Sequence, residues 1–361
     1  MVTRREFMKR AVLATAGAMV FSRLAPRAFA AEEQKLPELP WGYVELDVEE
    51  TRKRGHLGYY KFECAGGAFW ALTSQLAEKG VKPWNMLPIP SLQTMLNAVL
   101  HKKELLFFYQ YGAGGVAGYA TLCGALNGSA GFIQMVVEKE SHWKKLIRAL
   151  LRFYESAPFP SKKSNEYAVE GKYYVPRDKM KYAGPLPQSV SGSVLCHVSV
   201  SRWCVVSGYA SGSPERSERC GRLTGDVAAA TAFLLNEYFK SGKNVEAALA
   251  SFERYIRTIH GSGTVKLSAT TASCRVCHYK GKDYEMGQFT RGYMECEACH
   301  RDMTPHAHSF YNPLQSPPRP GEETASQRQL KQAAIAGSIA SAAVGAIAGF
   351  AAAKASSKKE E

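Results

Sequence analysis

From about Trp41 to His260, apolar positions recur at helical spacing, a pattern that predicts helices packed around one sizeable core. Phe62, Phe69, Leu72 and Leu76 share one face of a first helix that Gly80 closes. Ser91 stands where a second helix needs its cap, ahead of Leu92, Met95, Leu96 and Val99. A third, rich in Gly and Ala, runs through Val116 to Val137, and Trp143, Leu146, Ile147, Leu150 and Tyr154 mark a fourth. A Pro- and Lys-rich link follows at 157–188, then helices at about 192–206, 221–240 and 244–259. Asn244 caps the last of these, with Val245, Leu249, Phe252 and Ile256 inward. Strand patterning is weak; Phe107 to Tyr111 is a short candidate. The expected fold class is all-α, a helical bundle over residues 41–260.

Gly124, Gly128 and Gly131 share a face of the third helix. An interior helical glycine costs roughly 0.5–1 kcal/mol relative to alanine, so three of them call for a reason. Close helix packing is one, and room for a bulky cofactor beside Cys123 is the other.

Both ends of the chain carry a different signature. Arg4-Arg5, an apolar stretch from Ala11 to Phe21 and Ala28-Phe29-Ala30 read as a twin-arginine signal over residues 1–30. The mature chain is expected to start near Ala31 and to work outside the cytoplasm. That route carries folded proteins, which suits a chain that receives a cofactor before export. At the other end, residues 312–332 form a linker, and Ala333 to Ala353 is an uncharged run between Lys331 and Lys354. Its length matches a bilayer span; its Ala and Gly content also suits a tail helix packed on its own protein. Gly345 and Gly349 would let two such spans approach closely. As a span, it would anchor the chain at the periplasmic face of the cytoplasmic membrane.

The formal charge is +14, and the first thirty residues hold six basic and one acidic side chain, leaving about +9 beyond them. The excess is scattered over Lys144-Lys145, Lys162-Lys163 and Lys179 to Lys181, without a basic stripe interleaved with aromatics. Nucleic acid is therefore not an expected partner. An acidic redox protein is.

Most of the chemistry lies in residues 261–311, expected to have little regular structure. Cys274-Arg-Val-Cys277-His278 and Cys296-Glu-Ala-Cys299-His300 are each C-x-x-C-H, the pattern of covalent haem attachment. Two thiols one turn apart reach the two vinyl groups, and the following imidazole lies under the iron. Eighteen residues separate the pairs, a spacing that a zinc ribbon also uses. A four-cysteine zinc site has no use for a histidine after each pair, so two haem c groups are the reading, with His278 and His300 as proximal ligands.

Five of the nine cysteines lie elsewhere: Cys64, Cys123, Cys196, Cys204 and Cys220. Disulfides, free thiols or a four-thiolate iron–sulfur cluster would each account for them. If residues 192–206 are helical, Cys196 and Cys204 stand about 12 Å apart along the axis, so one small cluster takes both only if that helix is broken.

The segments F-E-C-A-G-G-A-F at Cys64, G-V-A-G-Y-A-T-L-C-G-A-L-N-G at Cys123, L-C-H-V-S-V-S-R-W-C at Cys196 to Cys204 and E-R-C-G-R-L-T-G-D-V-A-A at Cys220 resemble the split-Soret cytochromes c. These fall within a redox-active family labelled C, G-C-A-x-x-G, C, C. The likeness covers about residues 55–310 and includes both haem motifs in the same late position. Leu122 departs from the label, standing where it has a glycine. The resemblance implies a helical bundle with a cysteine-bound cluster, taken as 2Fe–2S. Cys64, Cys123 and Cys220 are then ligands, and Cys196 or Cys204 is the fourth. It also implies a homodimer with two stacked haems per subunit, bis-histidine irons, and one ligand crossing from the partner subunit. His306, His308 and His197 are the candidate distal ligands, with Met286, Met294 and Met303 as rivals. Two functions compete: an electron carrier between redox partners, and a haem-dependent reductase or peroxidase with one open iron position. The histidines suffice to close both irons and no acid–base constellation flanks the motifs, so the carrier is expected.

Overall fold

The computed structural model describes residues 35–300, apart from 284, 285, 287, 289, 297 and 299. The export signal, the linker, the apolar run 333–353, Cys299, His306 and His308 lie outside the described residues. The chain divides into two compact units at Lys266/Leu267, six residues beyond the boundary that the sequence suggests.

The first unit is helical, as expected. Helix α1 (Val48–Glu78) begins where the Asp47 side chain accepts the Glu50 amide at 2.8 Å. It is interrupted at Glu63, whose φ of 55° and ψ of −163° are not helical. Its two arms, 48–62 and 64–78, fold back on each other. Gln75 donates to Thr51 at 2.7 Å, Arg54 reaches Ser74 at 3.0 Å and Glu78 at 2.7 Å, and Gly58 meets Gly67 with no space for a Cβ on either. The expected first helix is the second arm of this hairpin, closed by Gly80 at φ 71°, except that Phe62 falls at the end of the first arm. Ser91 caps α2 (Leu92–Leu100).

The third helix starts later than the pattern suggests. α3 spans Gly124–Val136, because the residues ahead of it coil left-handed: Gly114, Gly115, Val116, Ala117, Gly118 and Ala120 all have φ between 49° and 78°. Amides there bond up to six residues back, as in Ala120 to Gly114 and Thr121 to Gly115, at 2.9 and 3.0 Å. A Cβ on Gly115 would lie 2.7 Å from the Thr121 nitrogen. Phe107 to Tyr111 is turn and the start of a 3-10 segment (Gln110–Gly112), not a strand; Gln110 holds it, accepting the Phe107 amide at 2.9 Å.

Helix α4 (Glu140–Ser156) follows, then β1 (Pro158–Phe159), α5 (Lys162–Val169) capped by Ser161, and β2 (Ser189–Val190), antiparallel to β1. The expected link thus holds a short helix. Three more helices complete the unit: α6 (Cys196–Ser207), α7 (Pro214–Lys240) and α8 (Val245–His260). Asn244 caps α8 at 3.1 Å. Trp70, Trp84, Phe132, Phe153 and Phe159 are fully buried in the core. Helix α7 packs against the first arm of α1 through Gly55 and Gly225, whose backbones touch. Polar links reinforce this contact: Arg52 to Asp226, and His56 to Glu218 at 2.9 Å. Asp226 also accepts the Ser161 amide and the Ser161 and Ser164 hydroxyls at 2.6–2.7 Å.

In the second unit, Ser268 caps α9 (Ala269–Cys274), and the rest of the described segment is turn and loop. Among the described residues, no helix is long and apolar enough to cross a membrane.

Candidate metal and haem sites

Four cysteines distant in sequence converge in the first unit. Cys64 opens the second arm of α1 just after the break at Glu63, Cys123 is the residue before α3, and Cys196 is the first residue of α6. Cys220 lies in the second turn of α7. Two backbone bonds bring Cys123 and Cys196 side by side: the Cys123 amide donates to Val194 O at 2.9 Å and the Cys196 amide to Thr121 O at 2.7 Å. Gly124 and Gly128 bring α3 onto Cys64. A Cβ on Gly124 would be 2.8 Å from the Cys64 Cβ, and one on Gly128 would be 2.2 Å from Ala65 O. Gly131 likewise faces Tyr109 Oη. The three glycines therefore serve close packing, the first of the two readings.

Cys204 stays outside the group. Helix α6 is continuous from Cys196 to Ser207, which leaves the second thiol two turns away.

Electrostatics show how closely the four sulfurs share a site. Burial pushes the Cys64 thiol well up, and the nearby Cys220, Cys123, Glu63 and Cys196 push it further. Cys196 is pushed up to about 12, by burial and then by Cys123 and Cys220. Cys123 is raised by burial, against a hydrogen bond from Tyr154, the Ala125 amide and the charge of Arg219. Three of these thiols stand at helix N-termini, where the positive end of the helix dipole favours a thiolate. As arranged, no group of three or more His, Cys, Asp or Glu side chains among the described residues could hold a metal ion.

The sequence pattern did not single out Arg219. It is fully buried, and its Nη2 donates to Ser199 Oγ at 2.9 Å while its Nε has no acceptor. Four other arginines of the first unit are buried, and each meets a carboxylate: Arg52 with Asp226, Arg54 with Glu50 and Glu78, Arg152 with Glu155, and Arg222 with Glu218. Arg219 has none among the described residues. Its charge is disfavoured by burial and upheld by Cys220, Tyr154 and Cys123. Tyr154, also fully buried, meets Ser199 Oγ at 2.9 Å. A trace of this group is visible in the sequence: Glu218, Arg219, Arg222 and Asp226 crowd charge onto the buried first half of α7.

In the second unit, a backbone bond joins the two ends of each haem motif. The His278 amide donates to Cys274 O, and the His300 amide to Cys296 O, both at 2.9 Å. Thr271 and Glu295 tie the two motifs together. Glu295 accepts the Ser268 amide and hydroxyl at 2.9 and 2.8 Å and also bonds Thr271, whose Oγ1 accepts the Cys296 amide at 3.0 Å. Arg275 adds donor bonds to the carbonyls of Gly292 and Met294. Cys274, Cys277 and Cys296 carry no disulfide.

Of the other histidines, His197 is exposed at the start of α6. His56 is a core group: it is fully buried, bonds Glu218 through Nε2 at 2.9 Å and stacks on Tyr173 at 3.8 Å, with no hydrogen-bond partner for its Nδ1.

A family model described as "Putative redox-active protein (C_GCAxxG_C_C)" matches residues 91–234, a stretch that takes in Cys123, Cys196, Cys204 and Cys220; Cys64 precedes it. The chain is 31% identical over 276 residues to split-Soret cytochrome c of Desulfovibrio desulfuricans, covering 75% of this chain and 81% of the relative. It also resembles a solved structure reported for a novel iron centre in the split-Soret cytochrome c from that organism. The TM-score is 0.54 and the identity 29%, over 73% of this chain and 91% of the other.

Proposed function

The chain belongs to the split-Soret cytochrome c family and is a redox protein; on that premise we propose that it is an exported dihaem electron carrier with an additional iron–sulfur centre. Cys64, Cys123, Cys196 and Cys220 would hold that centre, taken as 2Fe–2S. The observation that carries this reading is Arg219, a buried cation beside Cys220 and Cys123 with no carboxylate partner among the described residues. A buried charge without a partner costs several kcal/mol, and four thiolates around iron would supply the missing anion. The donor set fits a cluster better than a lone ion. Around one tetrahedral metal, sulfurs sit roughly 3.8 Å apart, as bonds of about 2.3 Å require. Among the described residues no three ligand-type side chains stand that way, whereas a cluster with more than one iron spreads its ligands further.

The centre and the haems each supply a one-electron store when bound. The chain's own residues do the rest. Three helix N-termini and Arg219 favour the thiolate state and so oppose the burial that raises these thiols. Gly124 and Gly128 keep α3 close enough for Cys64 and Cys123 to share the site. In the second unit, Cys274, Cys277, Cys296 and Cys299 would attach two haems with His278 and His300 as proximal ligands; His197, His306 and His308 remain the distal candidates. Thr271 and Glu295 hold the two motifs in a fixed relation.

Iron and acid-labile sulfide analysis of anaerobically prepared protein tests this reading. It should find more iron than two haems account for, with sulfide alongside; haem iron alone would overturn it. The wider proposal includes twin-arginine export, homodimers, and the 333–353 segment as an anchor beside membrane redox partners. Truncation after Leu330 should release the protein from membranes washed in high salt and carbonate. An intact chain that washes off equally would remove the anchor.

A further inference from the structure

The α1 hairpin turns on a residue that has no conformational reason to be glutamate. Glu63, at φ 55° and ψ −163°, stands at the edge of a region that only glycine adopts freely. Glycines lie close by where space demands them. Gly58 meets Gly67, and a Cβ on Gly66 would be 2.7 Å from the Phe62 Cβ and 3.2 Å from Phe108 O. At the one position in this turn where the backbone itself asks for glycine, the chain carries a carboxylate. Its side chain is exposed, and the bonds that close the hairpin run elsewhere, from Gln75 to Thr51 and from Arg54 to Ser74 and Glu78. On either side of it, Phe62 is in the core and Cys64 is buried at the cysteine site. Consecutive Cα atoms lie about 3.8 Å apart, so this carboxylate stands at the solvent edge of the site, next to one of its thiols.

Resting on the cluster reading above, we infer that Glu63 serves through its negative charge, which holds the reduction potential of the iron–sulfur centre down beside Cys64. Reduction adds one electron, whose charge spreads onto the ligand sulfurs. A neighbouring carboxylate therefore destabilises the reduced form more than the oxidised form. Groups around the site feel the same field: Glu63 is among the charges that push the Cys64 thiol and the Tyr59 phenol up. Tyr59 packs on α7 at Gly221, the residue after Cys220. Arg219 acts in the opposite sense from the buried side. Salt distinguishes the two, because it screens an exposed charge and leaves a buried one largely unscreened.

The test is a redox titration of the full chain followed by the spectroscopic signal of the centre, with urea unfolding, iron and sulfide measured on the same samples. Glu63→Gln keeps the shape and the strained backbone, so the redox midpoint should move to more positive potential while the urea midpoint stays. Added salt should narrow the gap between this variant and the wild type. Glu63→Asp keeps the charge and should stay close to the wild-type potential. Glu63→Gly should move the potential as Glu63→Gln does and also raise the urea midpoint, since glycine relieves the backbone. If Glu63→Gln assembles the centre at the wild-type potential, the inference fails while the cluster reading stands. If Glu63→Gln does not assemble, Glu63→Gly decides in its stead, and an unmoved redox midpoint there overturns the proposal. Wild-type protein without iron beyond its haems removes both.

Discussion

The two units carry redox chemistry in opposite ways. In the second, each haem motif is five consecutive residues whose histidine amide returns to the first cysteine's carbonyl, and distant parts of the unit only hold the motifs in place. In the first, no two of the four converging cysteines are closer than 24 residues along the chain, and their site exists only once the α1 hairpin, α3, α6 and α7 have packed. A local site tolerates loss of its surroundings, whereas a site assembled by folding depends on every contact that sets the helices. The difference predicts which changes remove a cofactor and which remove the fold.

The sharpest test exchanges one cysteine in each unit. Cys123→Ser should abolish the non-haem iron and sulfide while leaving covalent haem intact. Cys277→Ala should lower the haem that survives acid–acetone extraction and leave the non-haem iron alone. Cys204→Ser should change neither, because α6 carries that thiol two turns away from the site. Loss of non-haem iron in the Cys277 variant would show that the units are not independent and would break the comparison.

The next largest effect concerns the contact that holds α1 and α7 together. Asp226→Ala leaves Arg52 with Glu49 as its remaining carboxylate and removes the acceptor for Ser161 and Ser164. Each buried donor left unsatisfied costs about 1–3 kcal/mol, so urea unfolding of the first unit should shift by more than one such amount. Gly128→Ala comes after it. The added methyl would lie 2.2 Å from Ala65 O, and overpacking of this kind costs about 1–3 kcal/mol. It should lower the melting temperature and loosen the non-haem iron together, since the same approach of α3 to α1 serves packing and site.

What the sequence disclosed follows the same division. The haem pentapeptides, the all-α class and the caps Ser91 and Asn244 are local patterns, and they could be read directly. The hairpin in α1 could not. Apolar periodicity continues through Glu63, and only the tertiary contacts between its two arms force that residue to positive φ. The third helix starts later than its pattern for a related reason: Gly and Ala satisfy a helical pattern as readily as a left-handed coil, and here the amide bonding selects the coil. Spacing did show that an unbroken α6 could not offer both Cys196 and Cys204 to one small centre. It could not say which of them faces the other cysteines, because that depends on the pairing of Leu195 with Leu122. Arg219 and Tyr154 were hidden because a buried cation and a buried phenol have no periodic signature of their own.

The smallest expected effect separates stability from cofactor chemistry by pH. His260 ends α8, buried between Phe153 and Phe159, with its Nδ1 on Pro158 O at 3.0 Å and no partner for Nε2. Burial holds its pKa below the usual value, and the Arg52 charge adds to this against Asp226 and the Pro158 carbonyl. In the folded chain the ring is therefore neutral at pH values where an unfolded chain, titrating near 6.5, already binds a proton. Stability from this residue is complete above that value and is lost as the pH falls from it toward the depressed folded-state value. Urea midpoints of the first unit measured from pH 7.5 to 5 should fall with acid. In His260→Phe, the same series should be flatter, whatever the uniform cost of the lost Pro158 bond. A slope equal to that of the wild type would place the titrating group elsewhere in the unit.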